Sequence, residues 1–177
     1  MSPLNPIQEK FILHWGEMGT HWGINRTVAQ IHALLFINEK PLNAEEITQI
    51  LGVARSNVSN SLKELQGWGI VRRVHVMRDA RDHFESMKDV WELFRVVMDE
   101  RKKREFDPTE RLIKECIAEA GRGDVCDPYT SRKLGELAGF FETTGRLYEV
   151  VRLWPTSALK GLVKAGDKVR RMLGRGE

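Results

Sequence analysis

Six polar residues sit close together in the middle of the chain: Arg55, Ser56, Asn57, Ser59, Asn60 and Lys63. They are short hydrogen-bonding groups with a cation at each end. Arg and Asn present the paired donors and acceptors that match base edges in a major groove, while Ser and Lys reach phosphate oxygens. This assigns Arg55, Asn57, Ser59 and Asn60 to base edges and Ser56 and Lys63 to phosphates. Val58, Leu62 and Leu65 are interleaved at helical spacing, so one face is apolar and the other polar. Further on, Gly69–Val76 alternates apolar and polar residues as a half-buried strand does. Met77–Asp82 is polar and turn-like, and His83–Glu85 reads as a returning strand. Arg78 and Arg81, near the tip of that hairpin, are placed to reach a minor groove or its phosphates.

The elements that position these residues are legible upstream. Asn43 is a helix N-cap, and Glu46, three residues on, completes a capping box. Ile47, Ile50 and Leu51 give that helix one apolar face, and Gly52-Val53-Ala54 makes a turn. The next helix spans 55–66, with Gly67 in the left-handed position that ends it. Helix, turn, helix and basic hairpin together make a winged helix-turn-helix. The alternative is a two-helix corner and hairpin in an accessory domain of an enzyme. The chain has no Gly-x-Ser-x-Gly, no Walker loop, no Gly-x-Gly-x-x-Gly and no His-Glu-x-x-His. His14, His21, His32, His75 and His83 are scattered, so no metal site or cofactor is implied.

Two helices are predicted before this motif. Asn5-Pro6 starts one that Gly19 ends, with Ile7, Phe11, Trp15 and Met18 on one face, and the other spans 23–38. After the hairpin, 87–105 is strongly helical, and Met87, Val90, Phe94 and Val97 form a seam suited to a partner helix. Asp107-Pro108 and Asp127-Pro128 each start another helix. The first carries Leu112, Ile113, Cys116 and Ile117 inward and fails at Gly121-Arg122-Gly123. The second has Leu134, Leu137, Phe141, Thr144, Tyr148 and Val151 at heptad-like spacing and ends at Trp154-Pro155. A last helix spans 156–173, with Leu159, Leu162, Val163, Val169 and Leu173 on one side.

The residues just described resemble the GbsR and MarR transcriptional regulators. The resemblance rests on Ala44–Leu51 followed by 52–66, on Trp68–Arg73 before the wing, and on Asp79-Ala80-Arg81, and it covers residues 22–106. That last triplet matches the Asp-x-Arg of MarR wings, which implies that Asp79 steadies Arg81 for the minor groove. The helix with a Trp-x-x-Phe pattern after the wing, Met87–Cys116, is similar to the GbsR branch. The resemblance implies a homodimer bound to double-stranded DNA. It also implies a small effector, with choline-like cations as the class. Trp15, Trp22, Trp68, Trp91 and Phe94 are the aromatic residues available to hold such a cation by their ring faces, although helix-face tryptophans also serve as core.

Bulk properties fit this reading. The apolar fraction of 41% supports a packed core. The net charge of +3 is unevenly spread: 52–81 holds six Lys/Arg against two acids, 160–177 likewise, and the remainder carries −5. Nothing at the start resembles a signal peptide and no stretch approaches a membrane span, so a cytoplasmic protein is expected. Cys116 and Cys126 fit a reducing compartment.

The expected fold is mainly α, with a small two-stranded β wing. Residues 1–86 are read as a winged helix-turn-helix DNA-binding domain with two N-terminal helices, and 87–177 as a helical dimerisation and effector region. The expected function is a non-enzymatic, homodimeric repressor that reads a palindromic operator through helix 55–66 and wing 77–82. The competing reading is a helical interaction module whose winged domain contacts protein.

Overall fold

The computed structural model describes residues 4–122 and 126–173, with side chains up to residue 166. Gly123, the side chains of Val169 and Leu173, and most of the C-terminal basic cluster fall outside the described residues. The chain divides into two compact units, Met1–Val97 and Met98–Glu177, with the division inside the helix that follows the wing.

Helix α1, Pro6–His21, begins as its sequence predicts. Asn5 Oδ1 accepts the Ile7 and Gln8 amides at 3.0 and 2.9 Å, and Gln8 Oε1 accepts the Asn5 amide at 3.0 Å. Gly19 does not end it. A Cβ at Gly19 would lie 2.5 Å from the Ala29 Cβ, so this glycine allows α1 to approach the next helix. The buried face is accordingly Ile12, Gly16 and Gly19, with Phe11 and Trp15 half-buried and Ile7 exposed. Helix α2, Arg26–Ile37, starts later than predicted because Asn25 caps it, accepting the Thr27 amide at 2.8 Å. Seven of its 12 residues are buried, which makes it the centre of this unit.

The winged motif packs on α2. Strand β1, Leu42–Asn43, leads into helix α3, Ala44–Leu51, and then helix α4, Arg55–Gly67. Strands β2, Val71–Val76, and β3, Asp79–Ser86, form the wing. The antiparallel sheet has order β1-β3-β2, with Leu42 opposite Phe84 and Asn43 opposite His83. The sequence predicts two strands; the two-residue β1 is too short to show a period-2 pattern. Gly67 is the last residue of α4, and the left-handed residue is Gly69, at φ +76°. Strand β3 also starts before His83, because the turn is only Met77-Arg78 and Asp79–Asp82 are already in the strand.

Ile31, Ile47 and Val58 are fully buried between α2, α3 and α4, joined by Leu34, Leu62, Leu65, Val71 and Phe84. Burial of each such aliphatic side chain contributes about 1.5–3 kcal/mol relative to exposure. Helix α5, Val90–Arg101, joins this core through Leu93, with Met87, Val96 and Val97 packed beside it. Its predicted seam is therefore divided: Met87 and Val97 turn inward, whereas Val90 and Phe94 are exposed. Lys88 fixes the start of α5 to the end of α2, its Nζ donating to the carbonyls of Leu35, Phe36 and Asn38 at 2.7–2.9 Å.

In the second unit Asp107 does not cap a new helix. It is itself helical, and its amide donates to the Lys102 carbonyl across one π-helical turn, Lys102–Phe106. Pro108 has no amide to close an α-turn, so the ladder widens there and helix α6, Asp107–Ala120, continues. The Asp107 carboxylate instead takes Lys102 Nζ at 2.8 Å. Of the four inward residues predicted on α6, Ile113 is buried, Cys116 is half-buried, and Leu112 and Ile117 are exposed.

Helix α7, Pro128–Arg152, starts as predicted: Asp127 Oδ1 accepts the Tyr129 and Thr130 amides at 3.0 Å. It packs on the preceding helical stretch through Phe106 and Phe141, whose ring centroids lie 4.6 Å apart. Asp99 accepts from Arg152 Nε at 2.7 Å and from the Tyr148 hydroxyl. No α7 residue is buried, and Leu137, Phe140, Leu147, Val150 and Leu153 are exposed. Helix α8 is Thr156–Leu173. Both cysteines are free thiols. Among the described residues no helix is long and apolar enough to cross a membrane.

Candidate nucleic-acid interface

Helix α4 presents the polar face that its sequence predicts. Arg55, Ser56, Asn57, Ser59, Asn60 and Lys63 are all exposed, while Val58, Ser61, Leu62 and Leu65 are buried. Its N-cap is Ala54, which makes no side-chain cap, so the first-turn amides of α4 find no side-chain acceptor on the capping residue. A helix start of this kind favours an anion, because partial positive charge collects on those amides.

The wing places its two arginines differently. Arg78 occupies the tip beside exposed Met77, at φ 67°, a left-handed conformation for a non-glycine residue. Arg81 lies on β3, and Asp79 holds it closely. Asp79 Oδ1 accepts the Arg81 amide at 3.0 Å and Nε at 2.9 Å, and Oδ2 accepts Nη2 at 2.5 Å. These bonds hold the Asp79 carboxyl well below the usual range and raise the Arg81 guanidinium. His83 is buried behind them, its Nδ1 2.9 Å from the Arg81 carbonyl oxygen and its Nε2 3.5 Å from Asp79.

One further residue connects wing and helix. Glu45, on the first turn of α3, places Oε1 3.1 Å from Arg55 Nη1 and Oε2 3.4 Å from Arg81 Nη1. The Arg55 hydrogen bond and charge, followed by those of Arg81, lower its pKa. Together α3, α4 and the wing enclose a groove of about 450 Å³, whose charged lining is Arg55, Lys63, Arg73 and Arg81 against Glu45 and Asp82. Of the eight residues the sequence assigns to DNA, Arg55, Ser59, Lys63 and Arg81 line this groove. Ser56, Asn57 and Asn60 lie on the exposed face of α4 outside it, and Arg78 is at the wing tip.

Sequence reasoning missed Glu45 and Arg73. The signal for Glu45 was the acidic pair after Asn43: Glu46 returns to the cap amide at 2.8 Å, which leaves the Glu45 carboxylate for another partner. Arg73 carried no such signal: two residues after buried Val71, it occupies a position where period two predicts an apolar residue, and it pairs with Asp82 at 3.2 Å.

Residues 22–82 match the family model described as MarR family. That stretch runs from the turn before α2 into β3, so it covers the helix-turn-helix and most of the wing. The YvaV protein of Bacillus subtilis (strain 168), named as an HTH-type transcriptional regulator, is 20% identical over 94 residues, 53% of this chain and 53% of that protein. The match thus spans about half the length of that curated relative. A crystal structure of a transcriptional regulator superposes with a TM-score of 0.65 at 19% identity, covering 83% of this chain and 96% of its own. That likeness shows a shared fold.

Behind the winged motif, α1, α2 and α5 enclose a second cavity of about 270 Å³. Trp15, Trp22, Trp68 and Phe94 line it; Trp91, grouped with them from the sequence, does not. Trp15 and Trp22 meet edge to face at 5.8 Å. His32 also lines the cavity, and its buried Nε2 has no hydrogen-bond partner. Burial and the nearby Lys88 charge lower its pKa to about 4. His14 and His21 are exposed on α1 and do not line the cavity. Among the described residues no group of three His, Cys, Asp or Glu is placed to hold a metal.

Proposed function

We propose that the chain is a DNA-binding transcriptional regulator that acts as a homodimeric repressor on a palindromic operator. The observation that carries this reading is the exposed polar face of α4 beside the Asp79-steadied Arg81. Arg55, Asn57, Ser59 and Asn60 take base edges, Ser56 and Lys63 take phosphates, and Arg78 and Arg81 take the minor groove or its phosphates. The Trp-x-x-Phe pattern after the wing supports a GbsR-like branch.

Dimerisation is supported by the exposed apolar residues of α7, Leu137, Phe140, Leu147 and Val150, which recur every three to seven residues on the helix. A symmetric dimer presents two α4 helices, and so expects a palindrome. Seated across a promoter, it represses by excluding the polymerase. Protein–duplex gel shift with random DNA at low salt tests the reading. A shift that weakens steeply with salt is expected. No shift at low salt would favour the reading in which the winged domain contacts protein.

The same proposal includes a small effector in the aromatic cavity, held by Trp15, Trp22, Trp68 and Phe94. The class we propose is a choline-like cation, because ring faces attract it and the His32 imidazole, with a pKa of about 4, is neutral at pH 7 and does not repel it. Calorimetric titration with choline and with glycine betaine tests the class; an absence of heat with both at millimolar concentrations would exclude it.

A further inference from the structure

Glu45 lies between the two arginines, Arg55 and Arg81, that the DNA-binding reading assigns to a duplex. Its two oxygens are taken by guanidinium groups from the two elements that flank the groove, Arg55 of α4 and Arg81 of the wing. A backbone phosphate offers the same thing, an anionic oxygen pair that arginine forks grip. Yet nothing binds Glu45 there permanently: its side chain and those of both arginines are more than half exposed. Nor does α3 need the carboxylate. The Glu45 and Glu46 amides both bond to Asn43 Oδ1 at 3.0 Å, and Glu46 supplies the return bond of the capping box.

We propose that Glu45 is an affinity-setting residue, an internal stand-in for a phosphate that occupies Arg55 and Arg81 in the free protein and must be displaced before the groove takes a duplex. This rests on the DNA-binding reading above. The role follows from the charge of the groove. Four cations face two carboxylates there, so Glu45 offsets a large share of the net positive charge that attracts random DNA. Asp79 does not share the role. It grips Arg81 through Nε and Nη2, from within the wing, and leaves Nη1 turned to Glu45. On binding, Arg81 keeps Asp79 and exchanges Glu45 for a phosphate; Arg55 exchanges Glu45 for a phosphate or a base edge. Glu45 is thus a positioning residue whose removal strengthens binding, the reverse of what loss of a structural contact does.

The test is fluorescence anisotropy with a labelled random duplex over a salt series, comparing the full chain with Glu45→Gln and Glu45→Asp. Glu45→Gln is expected to bind on the order of tenfold tighter at low salt, from the relieved repulsion of a nearby unit charge. The slope of log affinity against log salt should steepen by up to about 0.9, the value for one additional phosphate neutralised. Glu45→Asp keeps the charge on a shorter arm and should keep the wild-type slope. Thermal unfolding of Glu45→Gln should match the wild type, since Glu46 holds the cap. Equal or weaker binding by Glu45→Gln with an unchanged slope, while the wild type binds, overturns the proposal and leaves the DNA-binding reading standing. Failure of the wild type to bind at low salt overturns both.

Discussion

Asn43 caps α3, the helix that carries Glu45 into the groove, and the cost of its substitution can be worked from the structure. The side chain is 2% exposed; Oδ1 accepts two amides, from Glu45 and Glu46, each at 3.0 Å. Asn43→Ala leaves both donors without that acceptor at the start of α3. Loss of a good N-cap costs about 0.5–2 kcal/mol, and the near-complete burial of Asn43 places it toward the upper end, about 1–2 kcal/mol. For a chain of this length each kcal/mol shifts the melting midpoint by about 2–4 °C, so a fall of about 2–8 °C is expected. The assay is thermal and urea unfolding followed by tryptophan fluorescence, with Asn43→Ser as control because a hydroxyl oxygen can still accept. Duplex affinity should fall modestly as Glu45 and α4 lose their fixed support. The salt slope should not change, because no charge is removed. If Asn43→Ala is as stable as the wild type, or Asn43→Ser is as damaging as Asn43→Ala, the capping argument is refuted.

Gly19→Ala should destabilise the first unit by about 1–3 kcal/mol in the same unfolding assay, because its Cβ would meet that of Ala29 at 2.5 Å. Asn60→Ala should weaken binding to a selected operator more than to random duplex, whereas Arg81→Ala should weaken both; equal losses on the two duplexes from Asn60→Ala would remove it from base readout. His32 titrates near 6.5 when unfolded and about 4 when folded, so its neutral form is the one the fold favours. Its contribution is complete above pH 6.5 and is lost as pH falls from 6.5 toward 4. Stability measured across that window should therefore be flatter for His32→Phe than for the wild type.

What could be read from the sequence was local. Asn5, Asn43 and Asp127 announce helix starts because cap and amide are within three residues, and the structure has all three. The outward face of α4 was legible for the same reason: Val58, Leu62 and Leu65 repeat at helical spacing. Asp79 and Arg81 are two residues apart, and their pairing is present. Local signals also misled where packing overrides them. Gly19 looks like a helix end, but it is small because Ala29 lies against it. Asp107-Pro108 looks like a helix start, but the preceding helix absorbs the missing proline amide in a π-turn. The residues that assemble the groove from distant segments were not legible. Glu45 meets Arg81 across 36 positions, and Lys88 reaches carbonyls of α2 some 50 positions away. The one-dimensional pattern names Glu46 as the acid that caps, but nothing in it names the partners that Glu45 reaches.

In the proposed function, α4 and the wing read a duplex. Selection of bound sequences from a random duplex library, with the full chain at moderate salt, tests it most directly. Enrichment of a palindrome is expected, its half-sites centred about one helical turn apart and each read by one α4 helix. Enrichment of no sequence, together with no binding to random duplex at low salt, would contradict it.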